Sequence, residues 1–101
     1  MKKGIKDHNL KIFNELYNLI DFDHEVNLQK DEDKSYFTLF INNEYYSLGS
    51  YYYNNDIRID LIGKDDDGFF RILEVFDNAD EIFNYFYENK YEDSSEINKN
   101  I

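Results

Sequence analysis

Few side chains in this sequence have the types and spacing that chemistry needs. His8 and His24 are its only histidines. A nucleophile–base pair sets a Ser or Thr beside a histidine, and neither has one as a sequence neighbour. With no Cys in the chain, a zinc site would need both imidazoles plus carboxylates. Both histidines fall outside the expected core elements and read as solvated surface residues. Residues 63–74 set Asp65, Asp67, Gly68, Phe70 and Glu74 at the third, fifth, sixth, eighth and twelfth positions of an EF-hand calcium loop. However, Gly63 stands where that loop needs Asp, and the flanks read as strands. An Asp-Gly hairpin turn accounts for the same residues. Paired carboxylates could suggest glycosidase or protease work, but with 22 acidic residues in 101 such pairs arise by chance. A chain this short also has little room for a substrate cleft. The expectation is a non-enzymatic protein with no metal and no cofactor.

Charge is the stronger signal. The formal net charge is −11. Lys2, Lys3, Lys6 and Lys11 crowd the first eleven residues; beyond them seven basic residues face twenty-one acidic ones, a charge near −14. Such a surface repels nucleic acid and attracts basic partners. Aromatic residues make up 19% of the chain, enough ring area for a core, so the acidity does not imply disorder. No apolar run approaches the length of a membrane span, and no apolar segment follows the basic start as in a signal peptide. The expectation is a soluble, cytoplasmic protein with no membrane contact.

The elements that must position these charges follow from periodicity. Phe13, Leu16, Tyr17 and Ile20 recur at helical spacing and predict a helix from about Asn9 to Ile20, with Asp7 or Asn9 as N-cap. Residues 21–34 are an acidic connection, with room for one short extended piece. Residues 35–41, 44–53 and 56–62 alternate as strands, joined by Asn42-Asn43 and Asn54-Asn55; Asn tolerates the positive φ of a two-residue hairpin loop. The first loop pairs Leu39 with Tyr46 and Phe37 with Leu48. The second pairs Ser50 with Ile59 and Leu48 with Leu61. Both put Leu48 on one apolar face with Phe37, Leu39, Ile57, Ile59 and Leu61. Gly49 reads as a bulge or bend. Residues 69–76 form a fourth strand that is apolar on both parities, which calls for coverage on both faces or a bulge. Asn78 and Glu81 form a capping-box-like start to a second helix, with Ala79, Ile82, Phe83, Phe86 and Tyr87 as its stripe. The expected fold is α+β: an N-terminal helix, a three- to four-stranded antiparallel meander and a C-terminal helix. It forms one domain over residues 1–91, and 92–101 are expected to be a mobile acidic tail.

The other sheet face collects Tyr36, Thr38, Phe40, Tyr45, Ser47, Tyr51, Tyr53, Arg58, Asp60 and Ile62. A helix covers it, or its tyrosines simply tolerate half-exposure, or it binds a partner, since Tyr offers large contact area with few rotors. The candidate contacts are Tyr45, Tyr51 and Tyr53 on that face, Asp65, Asp66 and Asp67 at a hairpin tip, Asp77, Asp80 and Glu81 around the second helix start, and Asp31, Glu32 and Asp33 in the linker.

In length, acidity and element order, nearly the whole chain resembles small acidic phage-encoded inhibitors, including some anti-CRISPR proteins. The likeness rests on no shared motif. It implies an inhibitor that blocks the basic nucleic-acid-binding surface of a partner by DNA mimicry, presenting carboxylates where phosphates would sit. An immunity or antitoxin protein that neutralises a basic nuclease would use the same physics. An adaptor domain whose acidity serves solubility is the third reading.

Overall fold

The computed structural model describes residues 3–32 and 35–87. Its elements are α1 (Lys3–Leu19), β1 (Asn27–Lys30), β2 (Tyr36–Ile41), β3 (Glu44–Tyr53), β4 (Asp56–Lys64) and β5 (Phe70–Phe76), followed by a helix over residues 79–87, here α2. The strands form one antiparallel sheet in the order β1-β2-β3-β4-β5. The class is α+β, with five strands where three to four were expected. The extra strand is β1: four residues of the acidic connection pair with β2, Leu28 opposite Leu39. Asp33 and the expected tail, 92–101, lie outside the described residues.

The meander register is the one the two Asn loops dictate. Phe37 pairs with Leu48 and Leu39 with Tyr46; Leu48 pairs with Leu61 and Ser50 with Ile59. Asn42 and Asn43 take φ of 56° and 64°, and Asn54 takes 57°, the left-handed values that tight hairpins require. The expected bulge at Gly49 is not there, because the β3–β4 ladder runs unbroken through it. Instead the ring of Tyr36, its partner on β2, lies over Gly49 and occupies the space that a Cβ would need.

The bulge sits on the β4–β5 pair. Leu61 faces Glu74 and Ile62 faces Ile72, so Leu73 is the extra residue. A bulge breaks the two-residue alternation. It lets Phe76 and Leu73 join the core while Phe70, Ile72 and Val75 pair with Lys64, Ile62 and Asp60 on the opposite face. This accounts for the apolar residues on both parities of 69–76.

Both helices lie on the same face of the sheet. Ile12, Phe13, Leu16 and Ile20 of α1 and its end, with Ala79, Ile82, Phe86 and Tyr87 of α2, bury against Phe37, Leu39, Ile41, Leu48, Ile59 and Leu61. α1 starts earlier than its apolar spacing indicates, so Asp7 and Asn9 are inside it and neither is an N-cap. Tyr17 leaves the predicted stripe for solvent, and Asn9 is buried in its place. The start of α2 is as expected: Glu81 N–H donates to Asn78 Oδ1 at 3.0 Å. The Glu81 carboxylate reaches back one residue further than a standard capping box and accepts the Asp77 N–H at 2.8 Å. Aromatic pairs tie α2 down, Tyr46–Phe86 at 5.1 Å and Phe76–Tyr85 at 5.5 Å between centroids. The Tyr87 hydroxyl donates to Asp23 Oδ2 at 2.9 Å.

One-sided coverage predicts unequal costs on the two faces. Leu48 is fully buried, so Leu48→Ala is expected to lose about 2–5 kcal/mol. Tyr45→Ser, on the opposite face, is expected to lose under about 1 kcal/mol. Urea unfolding of the two variants checks this; comparable losses would mean that the second face is also core.

Candidate partner-binding surface

Among the described residues, nothing packs over the outer sheet face. Tyr45 and Tyr53 stay 66% and 58% exposed there, and Tyr36 41%. The Tyr45 ring leans on its cross-strand partner Phe40, with centroids 4.5 Å apart. The paired strands hold these rings at the spacing of the ladder, and a tyrosine has few rotors to lose on contact.

The middle of this face carries charge that is only partly satisfied. Tyr51, Arg58 and Asp60 lie side by side on β3 and β4, with Tyr51 directly opposite Arg58. The Tyr51 hydroxyl donates to the Asp60 carboxylate. The second Asp60 oxygen, Oδ1, is buried and has no hydrogen-bond partner among the described residues; nor has Arg58 Nε. Arg58 instead sends its Nη1 to Asp77 Oδ1 at 2.8 Å. Partial burial pushes the Asp60 carboxyl above the usual carboxylate range, and the Tyr51 bond pulls against that shift. Burial, then the neighbouring Asp60 charge, raises the Tyr51 phenol.

The acidic clusters sort into structural and free groups. Asp65 is structural: its Oδ1 accepts the Asp67 N–H at 2.9 Å and the Phe69 N–H at 3.0 Å, and its Oδ2 pairs with Arg71. Gly68 closes the turn at φ 86°. The EF-hand spacing therefore arises from an Asx turn between two strands, with the Asp65 side chain turned inward onto its own backbone. Asp66 and Asp67 are exposed at the tip. Asp77 is committed to Arg58, and Glu81 to the α2 start, which leaves Asp80 exposed beside them. Asp31 Oδ1 accepts the Thr38 hydroxyl at 3.1 Å, and Glu32 is exposed.

The topology does not gather these clusters into one patch. Strands alternate in direction, so the 65–67 turn lies at one end of the sheet while 31–32 and 77–81 lie at the other. The latter two stand on opposite sides of the sheet, roughly 15–20 Å apart by strand spacing. What lies between 65–67 and 77–81 was not singled out from the sequence. Phe69, Phe70 and Ile72 are 65%, 67% and 57% exposed, with Val75 half-exposed. Their signal was the two-parity apolar pattern of 69–76, which only the bulge resolves.

The histidines are not both solvated. His8 sits in α1, half-buried, with Nδ1 3.0 Å from Ser50 Oγ. Ser50, itself buried, donates to Asn9 Oδ1 at 3.4 Å. The contact ties α1 to β3. Burial lowers the His8 pKa below the usual imidazole value, with Lys11 adding to it and Glu15 opposing. Among the described residues no group of three potential ligands could hold a metal ion. No described helix is long and apolar enough to cross a membrane.

Protein-family comparison, curated proteins and solved structures yield no match to this chain. The site therefore stands on its own geometry.

The raised Asp60 pKa has a definite sign. A carboxyl with a folded pKa above its unfolded value destabilises the fold once ionised, and that penalty vanishes below the unfolded value. Asp60→Asn is expected to raise the urea midpoint at pH 7, with the gain shrinking as pH falls toward 3.8, the ordinary Asp value. A gain of equal size at both ends of that range would remove the partly buried charge from the account.

Proposed function

We propose that this protein is a non-enzymatic inhibitor that binds and blocks the basic nucleic-acid-binding surface of a partner protein. The observation that carries this reading is the outer sheet face. It is open among the described residues, aromatic, and bordered by exposed carboxylates of Glu32, Asp66, Asp67 and Asp80. Lys and Arg that normally meet phosphates would meet these carboxylates, and the tyrosine rings would supply the desolvated contact area. The net charge of −11 speeds association with a basic surface and makes it salt-sensitive. It also keeps the protein itself off nucleic acid.

Asp65 is excluded from the contact set because its carboxylate holds the turn, so the test reverses only its neighbours. The protein is titrated into RNA-guided nuclease complexes and basic nuclease toxins already bound to a fluorescein-labelled duplex, with anisotropy as readout. The expected result is stoichiometric displacement from at least one of them, about tenfold weaker at ~500 mM than at ~50 mM salt. Joint reversal of Asp66 and Asp67 to Lys is expected to weaken displacement by about tenfold, and reversal of Glu92, Asp93 and Glu96 by less than about threefold. Equal losses would point to diffuse charge instead of a shaped surface. Absence of displacement at the lower salt overturns the reading.

A further inference from the structure

We propose that the outer edge of β5 is a docking site for an extended segment of a partner protein, taken up as a further strand of the sheet. The segment would carry apolar residues at alternate positions and Lys or Arg at both ends. The inference does not depend on whether that partner handles nucleic acid.

The two edges of the sheet differ. β1 is four residues long and carries Gln29 and Lys30, the short and charged form that discourages further pairing. β5 is seven residues long, and among the described residues no strand pairs with its outer side. Charges and bulges normally blunt such an edge, but both charged side chains of β5 are already engaged. Arg71 is drawn back to Asp65 in the turn. Glu74 folds its carboxylate onto the Val75 N–H at 3.1 Å. That N–H therefore points away from β4 and is capped by a surface side chain that can swing aside. Phe69, Phe70, Ile72 and Val75 meanwhile leave an apolar strip in solvent beside the edge, the side-chain complement that strand addition uses for specificity.

Charge decides what occupies it. Exposed Asp66 and Asp67 stand at one end of β5, and Asp80 at the other, about 24 Å apart at the rise of a strand. A second copy fits poorly. Antiparallel self-pairing of β5 would bring the exposed Asp66 and Asp67 at one end of each copy near the exposed Asp80 at the other end of its partner. Like charges directly opposite are destabilising, and each copy carries −11. Residues 88–101 hold four acidic residues against two lysines, also the wrong sign. A segment with basic ends and an apolar middle satisfies both the strip and its acidic ends.

The probe is a labelled peptide with two lysines, seven alternating valine and threonine residues, and two more lysines. It is titrated against the full chain by anisotropy, with amide exchange followed by NMR. The expected results are saturable binding, new protection at the Val75 amide, and about tenfold weaker binding when the lysines become glutamates. Joint substitution Phe70→Lys and Ile72→Lys is expected to weaken binding by a similar factor. N-methylation of alternate peptide amides, which leaves the protein untouched, should abolish it. Equal binding by the N-methylated peptide, or no binding by the parent, overturns strand addition. Two further results also overturn it by naming another occupant: a dimer in sedimentation that Ile72→Lys dissociates, and β5-edge protection in the free protein that disappears when residues 88–101 are deleted.

Discussion

Leu48 sits at the crossing of the whole design. It is fully buried, faces Phe37 on one neighbouring strand and Leu61 on the other, and lies under the helices. A slip of one residue in either hairpin would turn every alternate side chain to the opposite face. A slip in the first hairpin would turn Phe37 and Leu39 away from the face that Leu48 shares with Ile59 and Leu61, and a slip in the second would turn Ile59 and Leu61 away from Leu48. With both described helices on the Leu48 face, the outer face is left, among the described residues, to side chains that tolerate water. The open Tyr face is thus a direct consequence of how the core is satisfied.

That arrangement also divides the acidic residues by role. Asp65, Asp77 and Glu81 hold a turn, an arginine and a helix start. Asp66, Asp67 and Asp80 hold nothing of that kind among the described residues and remain exposed beside them. Net charge alone treats these residues as equivalent, whereas the hydrogen bonds do not. The middle of the outer face shows the same economy in reverse: Asp60 and Arg58 are partly buried and, among the described residues, incompletely bonded, a state that costs stability in a free domain. Polar groups held half-satisfied on an open aromatic face are groups that a partner can complete.

The meander was legible because two independent asparagine turns converge on one apolar face, so each checks the other. The α2 start was legible because capping is local chemistry between Asn78 and Glu81. Three features were not. β1 is four residues with little alternation, and only its pairing with β2 makes it a strand. The register of β5 depends on a bulge at Leu73, which periodicity cannot place because a bulge is a break in periodicity. The His8–Ser50 contact joins residues 42 apart, a product of how α1 lies on β3. The acidic clusters fall at a turn, a helix start and a connection, where Asp65 and Asp31 are half-buried; their separation to opposite ends of the sheet follows from strand direction, and the apolar strip between two of them follows from the bulge.

The central claim is that, among the described residues, the sheet is covered on one face only. Paramagnetic relaxation by a soluble, neutral gadolinium chelate measures this directly, since the enhancement falls steeply with depth from the surface. The account predicts strong enhancement at the side chains of Tyr45, Tyr53, Phe70 and Ile72, and weak enhancement at Phe37, Leu48, Ile59 and Leu61, at both low and high salt. Shielding of Tyr45, Phe70 and Ile72 to the level of Leu48 would contradict it, because it would mean that the face assigned to a partner is already buried within the chain.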